Sequence, residues 1–189
     1  MKNDRVIEQI FISHPQGKMN GIPTITTSML CNPICEQRAK DETSVCAHCY
    51  AKRGLAIYPA ARNRYAENTK ILSSHDLEVY ELPVLNSRIA RANPWCTIAL
   101  WTKNAAFMDK AIKELGKPDN LICVYSSDHL NQVSQDFSNY NWIDKVFTVY
   151  DKAYSKQHNV EINCGARNCL ACHKCYEHND IFFVNETLK

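Results

Sequence analysis

Five short runs rich in β-branched and aromatic residues punctuate the chain, at Ile22–Leu30, Thr97–Trp101, Leu121–Tyr125, Val146–Tyr150 and Ile181–Asn185. Ile98, Ile122 and Val146 recur at a spacing of 24 residues, and helical patterns fill the stretches between them. Asn104 is placed to cap one helix, with Phe107, Met108, Ala111, Ile112 and Leu115 on its apolar face and Gly116 as its stop. Asp128 is placed to cap a second, beginning at His129. Strand, helix, strand at a short period predicts right-handed βαβ units and a parallel sheet. The expected fold is therefore α/β, a partial barrel-like array of βα units. Upstream, residues 59–73 read as one helix with Pro59 in its first turn. Residues 75–92 read as another, which Pro83 should kink or break. A single domain over residues 1–189 is expected: a cysteine loop at 31–50, a helical segment at 59–92, βα units at 97–157 and a C-terminal cysteine loop at 164–176.

Composition narrows the function. The 189 residues suffice for one domain with a real core. No apolar run approaches the roughly 18–20 residues of a membrane span, so no membrane partner is expected. Net charge is +2, so bulk charge gives no strong signal for nucleic acid. Glycine is scarce, 5 residues, and neither G-x-G-x-x-G nor G-x-x-x-x-G-K-[ST] occurs, which argues against dinucleotide and P-loop sites. Lys2, Asp4, Arg5 and Glu8 interrupt the N-terminal stretch, so it does not read as a secretory signal. A cytoplasmic location is expected, where disulfides are rare.

Ten cysteines are the outlier, and metal is the explanation favoured over disulfides in a reducing compartment. Eight fall in two short runs. The first is Cys31, Cys35, Cys46 and Cys49, spaced C-x3-C-x10-C-x2-C. The second is Cys164, Cys169, Cys172 and Cys175, spaced C-x4-C-x2-C-x2-C. Thiolates that must converge on one centre do so at little loop-closure cost from such spacings. The first run is as zinc-like as it is iron-like. The second packs four cysteines into one loop, as iron–sulfur ligation does. An iron–sulfur cluster is thus favoured, one or two of them, with zinc as the alternative. The runs admit separate centres or one that draws on both. His48 and His173 sit inside C-x-x-C pairs and read as loop residues beside the centre. Tyr50 and Tyr176 follow those pairs, to shield a centre or to pack in the loop. Cys96 and Cys123 stand alone in or beside apolar runs, where a cysteine acts as a small hydrophobe.

In parallel sheets ligands bind beyond the carboxyl ends of the strands. Those ends carry Thr102, Lys103 and Asn104, then Ser126, Ser127 and Asp128, then Asp151 and Lys152. Because Cys31 directly follows the run ending at Leu30, and the second cysteine run follows Tyr150, both are expected on that same rim.

A strand followed at once by a cysteine loop and then βα units resembles the opening of radical S-adenosylmethionine (SAM) enzymes. Those carry C-x3-C-x-Φ-C and bind SAM at the open iron of a 4Fe–4S cluster. Cys31 and Cys35 match the first spacing, but Cys46 comes eleven positions later and Cys49 adds a fourth thiolate. SAM chemistry would require one of the four not to ligate. Under that reading Lys103, Asn104, Ser126 and Asp128 would hold SAM or a small-molecule ligand, and Arg62 or Arg64 would meet a carboxylate.

A closer resemblance is to the phage-encoded "gene product 88" family. It rests on Cys31, Cys35, Cys46, Cys49, Tyr50 and Ala51, on Arg62, Asn63 and Asn68, on Trp101 to Asn104, and on Cys164, Gly165, Cys169, Cys172, Cys175 and Tyr176. It implies a phage or prophage origin, hence the host cytoplasm, and an iron–sulfur centre, with no settled function; an electron-transfer or structural role is the expectation drawn from the cysteines, with a redox partner or a small-molecule ligand as the expected kind of partner. The resemblance supplies no activity.

Overall fold

The computed structural model describes residues 10–74, 81–133 and 135–188. The chain divides into two compact units, Met1–Leu77 with Arg167–Leu170, and Glu78–Ala166 with Ala171–Lys189.

The first unit is built from short helices. Helix α1 spans Pro33–Arg38, α2 spans Tyr50–Ile57 and α3 spans Pro59–Ser74, with 3-10 turns at Met29–Cys31 and Val45–His48. The strand expected over Ile22–Leu30 does not form. Its one ladder contact is the bridge between Thr24 and Ser13, two bonds of 2.8 Å. Side chains take up other backbone groups of this stretch. Asn68 on α3 donates to the carbonyl oxygens of Phe11 and Thr26, each at 3.0 Å, and accepts from the Phe11 N–H at 2.8 Å. Thr69 Oγ1 accepts from the Ser28 N–H at 2.9 Å. Asn68 is wholly buried. Among the described residues of this unit, the buried apolar side chains are Ile10 and Leu55, beside buried Ser13, Ser28, Ser44 and Asn68. Polar stitching does much of the work that an apolar core does elsewhere.

The second unit holds the sheet. Strands β1 (Ile98–Thr102), β2 (Leu121–Ser126), β3 (Lys145–Tyr150) and β4 (Phe183–Thr187) run parallel in sequential order. These are the last four expected strands, within two residues at each end. Helix α4, Glu81–Ala92, precedes β1, and α5, Ala105–Leu115, joins β1 to β2. Pro83 is the third residue of α4 as described, and the helix continues from it to Ala92. The expected helix over 75–92 begins outside the described residues. Asn104 caps α5 as expected, and Gly116 ends it at φ 72° with its N–H on the Ile112 carbonyl at 2.7 Å. Ala90, Ala105, Met108, Leu121, Cys123, Tyr125, Trp142, Ile143 and Val146 form the core. Asn120 Nδ2 donates to the carbonyl oxygens of Ala90, Asn93 and Cys96 at 2.8 to 3.0 Å, pinning the end of α4 beside the start of β2.

The helix expected after Asp128 is replaced by a turn and a 3-10 segment, Gln135–Asn139. Asn131 adopts φ 62° and gives its N–H to Val149 at the end of β3, and Ser127 Oγ takes the carbonyls of His129 and Gln132 as acceptors. After β3, helix α6 spans Lys152–Gln157, and residues 161–164 then line the outer edge of β4. Asn163 Oδ1 accepts from the Asn185 N–H, and the Cys164 N–H reaches the Asn185 carbonyl, both at 2.9 Å.

Candidate metal centre

Each cysteine of the first run lies at or near the end of a short helical turn, and a polar side chain shapes three of those turns. Ser28 Oγ accepts from the Leu30 N–H in the turn ending at Cys31. Asn32 Oδ1 caps α1 at the N–H groups of Ile34 and Cys35, 2.9 and 3.4 Å. Ser44 Oγ accepts from the Cys46 N–H at 3.1 Å. Cys49 is the N-cap residue of α2, yet its side chain makes no capping bond. The backbone N–H groups of Leu30, Cys35 and Cys46 are thus held by neighbouring polar side chains. Cys31 is exposed and the other three half-buried. His48 is exposed, in keeping with a loop residue. Tyr50 is 80% exposed.

The second run straddles helix α7, Cys169–Cys172, which ends at His173 in the left-handed region, φ 57°. His173 Nδ1 lies 2.8 Å from Glu177 Oε1. Lys174 Nζ donates to the Asn163 carbonyl at 2.7 Å. Cys175 is 8% exposed and sits beside Lys145, the first residue of β3. Lys145 is 1% exposed and donates to Asn179 Oδ1 at 2.8 Å and the Ile181 carbonyl at 3.1 Å. Burial lowers its pKa, while the charges of Cys175 and Asp144 act to raise it. His178 Nε2 reaches the Asp119 carbonyl, just before β2, at 2.9 Å. These contacts place Cys175 at the amino ends of the strands. The carboxyl-end rim expected for it is therefore corrected. The long return to β4 must enter at the same end as β3, because the two strands are parallel.

At the carboxyl ends the structure joins Lys103 to Ser126. Lys103 Nζ donates to Ser126 Oγ at 2.9 Å and to the Ser127 carbonyl at 2.7 Å. Asn104 Oδ1 caps α5 at the Phe107 N–H, 3.4 Å. Asp128 Oδ1 lies 3.7 Å from His129 Nε2. Asp151 caps α6 through the Tyr154 N–H at 2.7 Å and is also bonded by Asn131; these bonds lower its pKa. Arg62 is exposed on α3 of the other unit.

All ten cysteines are present as thiols. The donor set, eight thiols in two short runs, has the chemistry that clusters and zinc require. Among the described residues, no group of three or more His, Cys, Asp and Glu side chains is placed to hold a metal ion. Of the lone cysteines, Cys123 is fully buried and desolvation pushes its pKa up to about 12. Cys96 is exposed, contrary to the expectation for an isolated cysteine. Sequence reasoning missed Lys145 and the clamp made by Asn68; a lysine opening a buried β run was the available signal for the first.

The family model described as "Gene product 88" matches residues 84–185. The chain belongs to the gene product 88 family. No curated protein and no solved structure matches it. The matched span covers β1 to β3, the start of β4 and the second cysteine run, and leaves out the first run and α3, where part of the resemblance had rested. Among the described residues, no helix of this gene product 88 protein is long and apolar enough to cross a membrane.

Proposed function

We propose that this gene product 88 protein binds an iron–sulfur cluster, of the 4Fe–4S type, in a structural or electron-transfer role. Cys31, Cys35, Cys46 and Cys49 would hold it in the first unit. Cys164, Cys169, Cys172 and Cys175 supply a second thiolate set. The observation that supports the reading is the grouping of Cys31, Cys35, Cys46 and Cys49 in a unit whose described residues bury few apolar side chains. The first unit buries Ile10 and Leu55 and otherwise serines and Asn68 among its described residues, while its cysteine backbones are pre-shaped by Ser28, Asn32 and Ser44. Small units with little apolar burial gain their stability from a staple, and metal–thiolate binding contributes folding free energy directly. A bound cluster also supplies reversible one-electron transfer. Nothing favours SAM chemistry in particular: Lys103 and Asn104 already serve as a strand-tip brace and a helix cap.

The test is iron, sulfide and zinc quantitation on protein prepared without oxygen. Iron and sulfide in equal amounts, with a brown colour, support the proposal. Stoichiometric zinc in colourless protein would replace it with a zinc-stapled module. A natively folded, metal-free preparation would end both. Cys→Ser changes at positions 31, 35, 46 and 49 should each lower bound iron, and Cys96→Ser should not.

A further inference from the structure

A net charge of +2 conceals an uneven distribution. Residues 50–70 carry Lys52, Arg53, Arg62, Arg64 and Lys70 against the single acid Glu67. That leaves 17 basic and 19 acidic residues elsewhere, from totals of 22 and 20. The structure puts these cations on α2 and α3, consecutive helices separated by Tyr58 alone. Lys52, Arg53, Arg62 and Arg64 are exposed. Lys70 is paired to Glu67 at 3.7 Å, whereas Lys52, Arg62 and Arg64 have no ion-pair partner among the described residues. Aromatic and apolar side chains stand among them: Tyr50 at 80% exposure, Ile57 at 68% and Tyr58 at 64%.

We propose that the exposed face of α2 and the start of α3 binds single-stranded nucleic acid, with Lys52, Arg53, Arg62 and Arg64 on phosphates and Tyr50 and Tyr58 as stacking surfaces for bases. Exposed cations and projecting aromatic rings are the two elements that sequence-tolerant single-strand binding needs. An anionic membrane fits less well. The exposed face of α3 carries Asn63, Arg64, Glu67 and Lys70, where an interfacial helix needs a continuous apolar stripe. The inference stands apart from the metal reading, since it uses no cysteine.

The test is fluorescence anisotropy of the full chain with labelled 30-nucleotide dT and rU strands. Competitors are the matched duplex, phosphatidylserine vesicles and polyglutamate. Four phosphate contacts predict that single-strand affinity falls about 50-fold between 50 and 200 mM salt. Lys52→Ala, Arg62→Ala and Arg64→Ala combined should weaken binding by at least about tenfold and flatten that salt dependence. Tyr58→Ala should weaken it about 5- to 100-fold with the salt slope unchanged. Lys152→Ala with Lys156→Ala, exposed cations of the other unit, should leave affinity within about twofold. An unchanged melting temperature in the triple variant shows that the loss is not unfolding; Tyr58→Phe, which keeps the ring, should restore binding. No binding at 50 mM salt, equal loss in the Lys152 and Lys156 variant, or competition by vesicles or polyglutamate as strong as by dT overturns the proposal.

Discussion

At the scale of single residues, the polar groups carry more than their size suggests. Asn68 satisfies three backbone groups from two chain segments. Asn68→Ala would leave the partly buried Phe11 N–H and two carbonyls without their partner, so a loss of about 1–3 kcal/mol in urea unfolding is expected. Asn68→Asp should fall close to alanine, because a carboxylate cannot donate to the two carbonyls. Lys145 is the counterpart in the second unit. Lys145→Met removes an awkward buried charge but leaves the Ile181 carbonyl without its donor, while Asn179 Oδ1 keeps the Ile181 N–H, so destabilisation by about 1–2 kcal/mol is expected. Thiol reactivity separates the lone cysteines. With its pKa near 12 and no exposure, Cys123 should resist iodoacetamide at pH 8 in native protein, whereas Cys96 should alkylate readily, as read by peptide mass spectrometry.

Elements show where sequence was sufficient and where it was not. Helix α5 was legible because its signals are local: an Asn cap, an apolar face and a glycine that accepts positive φ. Gly116→Ala should cost about 1 kcal/mol at the melting transition, as the alanine Cβ is strained there and would also meet Arg91 at 3.4 Å. The strands β1 to β4 were legible because buried parallel strands are nearly continuous apolar runs. The run Ile22–Leu30 has similar composition but no neighbouring strand; Asn68 and Thr69, about forty residues away in sequence, take its backbone groups instead. Nothing local announces such partners. The same holds for Asn131, whose bonds to Val149 and Asp151 override the helical pattern after Asp128. Asp151 lets the α6 cap be tested by pH. Its pKa is lowered in the folded state, so its contribution is fully present above about pH 4, the unfolded value, and is lost as pH falls through the folded pKa. Asp151→Asn should flatten that part of the acid stability curve.

Across the whole molecule, the cysteine spacings were visible in sequence, but not their surroundings. The first run proves to lie in a unit that buries few apolar side chains among its described residues, while Cys164 and Cys175 of the second are fastened beside Asn163 and Lys145 in the sheet unit. If metal staples the first unit, removing it with a strong chelator should split thermal unfolding into two steps. The helical unit would melt early, and the sheet unit near its original temperature. A single unshifted transition would argue that the thiols carry no structural metal.

Strand β4 reaches β3 only after a long return that contains the second cysteine run, and residues 161–164 cover its far side. Until that return is seated, β3 presents an open row of amide and carbonyl groups to any passing chain. Oxidation or misligation of Cys164 to Cys175 should therefore appear first as self-association, visible by light scattering before helix content changes. Careful handling of those sulfurs then becomes a condition for keeping the protein monodisperse.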